Sequence, residues 1–116
     1  MKIDRVRGHL DLVLLGILAQ EPGHGYAVIT ALRERTDGFL DLPEGSVYPA
    51  LHRLEDLGLL TSEWGPVGGR RRRVYRLTER GSQALAGERR DWRSLVAAVE
   101  ATLRPAPRSS LAGEPA

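Results

Sequence analysis

The spacing of apolar residues changes once, near residue 60, and that change limits the possible folds more than any other feature of the chain. Before it, apolar residues recur at helical intervals. Leu10, Val13, Leu14, Ile17 and Leu18 make a wide stripe that ends at Glu21-Pro22-Gly23. A second, shorter helix opens after His24-Gly25, sets Tyr26, Ile29 and Leu32 on one side, and stops at Thr36-Asp37-Gly38. Beyond a linker through Pro43, the residues Val47, Leu51, Leu54 and Gly58 share one face of a third helix. Proline is tolerated in a first turn and costly further in, so Pro49 favours a start between Glu44 and Ser46. After the change the period is two. Leu60 to Trp64 alternates, Gly65-Pro66-Val67-Gly68-Gly69 carries turn chemistry, and Arg71 to Leu77 alternates again with Arg73, Tyr75 and Leu77 on one face. This is a β-hairpin. Thr78 then offers a capping hydroxyl to the longest helix, which runs without proline to Leu103 and is stopped by Arg104-Pro105-Ala106-Pro107.

Three helices, a hairpin and a further helix follow the order of a winged helix-turn-helix, in which the third helix enters a major groove beside the wing. The expected class is α+β and mostly helical: three helices and a two-stranded β wing, followed by a long C-terminal dimerisation helix. Residues 1–77 are expected to form the DNA-binding domain and residues 78–104 the dimerisation helix. Residues 105–116, rich in Pro, Ser, Ala and Gly, are expected to be a disordered tail.

A chain of 116 residues buries one modest core, which leaves no room for a large enzyme fold. The absence of cysteine removes disulfides, thiolate catalysis and the usual structural zinc ligands. His9, His24 and His52 lack metal-site spacing, and the glycine-rich turn lacks the following helix and Lys-Ser/Thr pair of a phosphate loop. No metal, cofactor or catalytic residue is therefore expected. No apolar run reaches the ~20 residues that span a bilayer, and Met1-Lys2-Ile3-Asp4-Arg5 does not open like a signal peptide, so no membrane partner and a cytoplasmic location are expected. The net charge of +2 hides an asymmetry. Residues 1–69 carry six Lys/Arg against ten Asp/Glu, and residues 70–116 eleven against five, so the halves stand near −4 and +6. A basic half of this kind suits an acidic partner such as nucleic acid.

Three segments carry a family resemblance. They are His24-Gly25-Tyr26, the run from Gly45 through Tyr48-Pro49 to Glu55, and Arg73 to Gly81. Together they resemble the PadR family of transcriptional repressors, in a short form with one C-terminal helix, over roughly residues 8–104; the central run is the specific part. Leu42 departs from the pattern, because such sequences often place a serine or similar cap before Pro43. The resemblance implies a homodimer, joined through the last helix, on a palindromic double-stranded DNA operator.

If Val47, Leu51 and Leu54 face the core, a step of about 100° per residue points Gly45, Pro49 and His52 outward, with Ser46 and Tyr48 beside them. The hydroxyls of Ser46 and Tyr48 and the His52 imidazole then reach phosphates or base edges, and Gly45 lets the backbone approach closely. Arg53 is a further candidate on the same helix, and Tyr26 belongs to the same expected DNA-binding set. The plainer reading makes Ser46 a cap and Tyr48 a packed aromatic. Arg70, Arg71 and Arg72, with Arg73, put consecutive cations on the hairpin, from which they can track a backbone; Arg73 is expected to cover the hairpin instead. The alternative is a strand edge kept soluble by charge.

Leu85, Trp92, Val96, Val99 and Leu103 fall at a and d positions of a heptad, interrupted by Arg89, and are expected to form the dimer interface; the same stripe can also fold back on helix one. In relatives, an aromatic at the place of Trp92 lines a cavity between subunits that accepts flat aromatic effectors, which the resemblance extends to Trp92. An interface anchor is the simpler role for that side chain. The reading that follows is a sequence-specific DNA-binding regulator, a repressor released by a small-molecule effector. The alternatives are a winged-helix module that binds protein or RNA without sequence readout, and a small hydrolase or metal-dependent enzyme.

Overall fold

The computed structural model describes residues 7–106. A 3₁₀ turn, Arg7–His9, leads into α1 (Leu10–Gln20), and a two-residue strand β1 (Gly23–His24) precedes α2 (Gly25–Arg35). Then come α3 (Glu44–Asp56), the hairpin strands β2 (Leu60–Val67) and β3 (Arg70–Leu77), and α4 (Glu79–Leu103). The fold is α+β and mostly helical, as the change of period requires. The sheet differs from the expected two strands. Its order is β1-β3-β2, with Gly23 opposite Tyr75 and His24 opposite Val74, so the segment read as a helix breaker also supplies an edge strand.

The hairpin is longer than alternation alone indicated. Pro66 lies within β2 opposite Arg71, and the turn shrinks to Gly68-Gly69, both at positive φ, which a two-residue hairpin turn demands. Pro66 is tolerated because, among the described residues, β2 has no partner on its other side.

One core joins all these elements. Leu14, Leu15 and Leu18 of α1 meet Val28, Ile29 and Leu32 of α2 and Val47, Ala50, Leu51 and Leu54 of α3, with Leu42, Leu60, Tyr75 and Leu85 closing the sides. Each fully buried leucine contributes about 1.5–3 kcal/mol through removal from water. Tyr26 is corrected here: it is exposed, and Val28 takes the place beside Ile29 and Leu32. Gly58 likewise leaves the helix face assigned to it, because α3 ends at Asp56 and Gly58 turns the chain at positive φ.

The cap of α3 falls on Pro43, which offers no side-chain acceptor, so Ser46 is not a cap. Leu42, where a polar cap was looked for, is buried instead and trades one hydrogen bond for apolar area. Thr78 does cap α4. Its Oγ1 accepts from the Gly81 N–H at 3.0 Å and donates to the Gly58 carbonyl at 2.7 Å, tying the turn after α3 to the start of α4. Pro105 and Ala106 follow α4 without regular structure, and the rest of the expected tail lies outside the described residues.

Candidate nucleic-acid interface

Four buried side chains fix how α3 is turned. With Val47, Ala50, Leu51 and Leu54 inward, the helical step sets Gly45, Pro49, His52 and Asp56 on the outer face, all of them exposed. Tyr48 and Glu55 fall on the flank toward the hairpin, and Ser46 and Arg53 on the flank toward α1. Contacts bear this out on both sides. The Tyr48 ring packs on Gly25, where any side chain would collide with it, while Arg53 forms a two-pronged ion pair with Asp11 of α1. Arg53 is therefore not the free cation the sequence offered; hydrogen bonding to Asp11 raises its pKa further.

Glu55 joins α3 to the wing. Its Oε1 accepts from Arg73 Nη2 at 2.7 Å and its Oε2 from Ser62 Oγ at 2.7 Å, and Ser62 Oγ in turn accepts from Arg73 Nε at 2.7 Å. The Arg73 guanidinium also stands 5.8 Å from the centre of the buried Tyr75 ring. Burial pushes the Tyr75 phenol up, with Arg73 pulling the other way. Arg73 thus covers the hairpin, as alternation indicated. Arg70, Arg71 and Arg72 form no ion pair with any carboxylate among the described residues.

Between α3 and the wing lies an open cleft of about 430 Å³, walled by His24, Tyr48 and His52 on one side and Trp64, Arg71 and Arg72 on the other. Sequence reasoning missed His24. Its Nδ1 accepts from the Ala27 N–H at 3.2 Å and caps α2, and burial, then the charge of Arg72, hold its pKa below the ordinary value. A neutral imidazole whose Nδ1 is an acceptor keeps its proton on Nε2. An exposed helix face, a wing with unpaired arginines and a neutral donor between them make a surface suited to phosphates and groove edges.

The family model of the PadR-like transcriptional regulators matches residues 14–87. This chain belongs to that family. The PadR-like chain is 53% identical over 55 residues to the transcriptional regulator Rv3488 of Mycobacterium tuberculosis, covering 47% of this chain and 51% of that protein. It is 37% identical over 82 residues to the transcriptional regulator YqjI of Escherichia coli, covering 71% of this chain and 38% of that protein. It thus spans about half the length of one of these relatives and under two fifths of the other. A PadR family transcriptional regulator from Eggerthella lenta has the same fold, with a TM-score of 0.78 at 32% identity over 90% of this chain and 89% of that one. A transcriptional regulator from Clostridium thermocellum reaches 0.80 at 27% identity over 87% and 99%. These proteins are regulators, and the PadR-like chain is a DNA-binding transcriptional regulator with a winged helix-turn-helix fold.

Of the DNA-contact residues expected from sequence, Gly45, Pro49, His52, Arg70 and Arg71 are exposed, and Ser46, Tyr48 and Arg72 are half-buried. His52 lies 6.5 Å from the Tyr75 ring, and Tyr26 stacks on His24 at the same separation. The last helix of this PadR-like regulator divides. Leu85 is 8% exposed in the chain's own core, a correction to its place in the expected dimer seam, whereas Trp92, Val96, Val99 and Leu103 are exposed. Leu95, which the heptad reading passed over, is exposed beside them. Trp92 meets His9 edge to face at 4.9 Å, next to a cavity of about 170 Å³ that Leu12, Glu88 and Leu95 help to line. No helix among the described residues is long and apolar enough to cross a membrane.

Proposed function

We propose that this regulator acts as a homodimer on a palindromic operator, with the outer face of α3 in successive major grooves and Arg70, Arg71 and Arg72 on the flanking backbone. The observation that carries the reading is the distribution of paired and unpaired charge. Arg53 and Arg73 are neutralised by Asp11 and Glu55, while Arg70, Arg71 and Arg72 are left without carboxylates among the described residues, and Arg71 and Arg72 border one cleft with His52. Phosphate neutralisation by such groups gives affinity, and the few polar side chains on α3 give sequence preference. The exposed apolar stripe from Trp92 to Leu103 supports pairing through α4. Repression relieved by a flat aromatic effector at the Trp92 cavity, through a change in the separation of the two recognition helices, completes the reading.

Selection from random duplexes tests it directly. The expected outcome is a palindromic consensus, and His52→Ala relaxes one position in each half-site at a cost of about 1–3 kcal/mol. Replacing Arg71 and Arg72 together by alanine weakens binding to selected and unrelated duplexes alike. It also flattens the salt dependence by roughly 0.9 per lost phosphate contact, or about 3–4 for a dimer. An unselective pool with an unchanged salt slope in the arginine variant overturns the reading.

A further inference from the structure

Trp64 is 59% exposed on the wing, and nothing in the fold uses its indole as core. Leaving so large an apolar ring in water forgoes the stabilisation that burial gives, so its surroundings need an account. Strand register supplies one. Ser62 lies opposite Tyr75, Trp64 opposite Arg73 and Pro66 opposite Arg71, and side chains two apart share a face. That face looks toward α3, because Ser62 and Arg73 both bond Glu55 there. Trp64 therefore stands one step further out on the face that opens into the cleft, across from His24, Tyr48 and His52. The Arg71 guanidinium lies 6.0 Å from the centre of its ring.

We propose that Trp64 is a DNA-contacting residue that also seats Arg71: the indole lies against a deoxyribose of the strand bordering the recognition groove while Arg71 takes the neighbouring phosphate. This rests on the reading of the cleft as the duplex-binding surface. The chemistry matches on each count. A guanidinium over an aromatic face keeps its donors at the ring edge, pointing outward to an anion, and it loses fewer rotamers on binding because the ring already restricts it. Arg73, on the same face, is held by Glu55 and Ser62 and is not available. A planar apolar surface beside a cation fits a sugar followed by a phosphate, a unit every duplex repeats. The contact is therefore indifferent to sequence, unlike that of His52. The surrounding arginines disfavour an apolar protein partner.

The chain has two tryptophans, so wild-type protein labelled with 5-fluorotryptophan gives two fluorine resonances, and the one missing from Trp64→Phe belongs to Trp64. Titration with a selected duplex and with an unrelated one is expected to move the Trp64 resonance along the binding curve in both cases. Trp64→Ala is expected to weaken both complexes by about tenfold, in the range of stacked-aromatic losses. Trp64→Phe costs about twofold on the same scale, and Arg71→Ala added to Trp64→Ala costs less than the product of the separate losses. A Trp64 resonance that stays in place at saturating duplex, or Trp64→Ala binding within about twofold of wild type, overturns the proposal. If Trp64→Ala fails to fold, the wild-type titration and Trp64→Phe decide. Wild type that binds duplex with Trp64 unmoved defeats this inference alone; wild type that binds neither duplex defeats the reading beneath it as well.

Discussion

The first two turns of α4 and its last four are built from the same kind of residue on the same stripe, yet they end in different surroundings. Gly81 and Leu85 pack against the turn after α3 and the chain's own core, while every residue from Glu88 to Leu103 is exposed. The molecule is 70 Å long and only 29 by 21 Å across, because the last turns of α4 extend beyond the winged body. A helix of that length has marginal stability in water without packing, and Trp92, Leu95, Val96 and Val99 give it an apolar side that stays largely exposed. A heptad therefore marks a surface that needs covering, and the choice of cover is made by the elements around it.

The largest expected effect tests the covered region. Leu51→Ala removes a fully buried side chain at the meeting point of α1, α2 and α3, and is expected to lower unfolding free energy by about 2–5 kcal/mol. Chemical denaturation at two protein concentrations checks it, and the loss is expected to be the same at both. A loss below about 1 kcal/mol would mean that the winged body is not the stable unit and that the comparison is wrongly drawn.

The next effect belongs to the uncovered region. Val96→Asp with Val99→Asp is expected to convert a micromolar dimer to a monomer with the winged body still folded. What is lost is the concentration-dependent part of the stability, about 2.7 kcal/mol at a hundredfold excess over the dissociation constant. Sedimentation and melting at several concentrations read this. A wild-type protein that already sediments as a monomer removes the seam, and a double variant that unfolds at every concentration moves the boundary of the core past Leu85.

These two regions also explain what could be read in the sequence. The fold was legible because its elements announce themselves by period and by breakers: Glu21-Pro22-Gly23, Thr36-Asp37-Gly38 and the hydroxyl of Thr78 each fall where an element begins or ends. The third strand was not, since two residues, Gly23 and His24, are too short to show any period. The outer face of α3 followed from Val47, Leu51 and Leu54, but the pairing of cations did not. Arg53 and Arg71 look alike in a sequence. One meets Asp11, 42 residues away, and the other meets Trp64 across the hairpin. Such partners are chosen by tertiary proximity. Tyr26 is misplaced by the sequence reading because a single aromatic on a short helix fits either the buried or the exposed side, and Val28 fills the buried position.

The smallest effect separates the regions by pH. His24 links β1 to α2 within the winged body, and its neutral Nδ1 accepts the Ala27 N–H. Protonation at Nδ1 removes that acceptor and puts a cation beside Arg72. Burial and the Arg72 charge accordingly lower the folded-state pKa below 6.5, the ordinary value that the unfolded chain keeps. Near and below pH 6.5 the unfolded state therefore binds more protons than the folded state, so stability falls as pH falls. The contribution is fully present above 6.5 and is lost as the pH drops toward the folded-state value. Asparagine keeps a capping acceptor and does not titrate in this range, so melts of His24→Asn are expected to lose this part of the response between about pH 7.5 and 5. The same response is expected in the Val96→Asp and Val99→Asp protein, because His24 belongs to the covered region and not to the seam. A pH response that persists in His24→Asn, or that vanishes when the seam is broken, would assign the titration to another group and tie the two regions together.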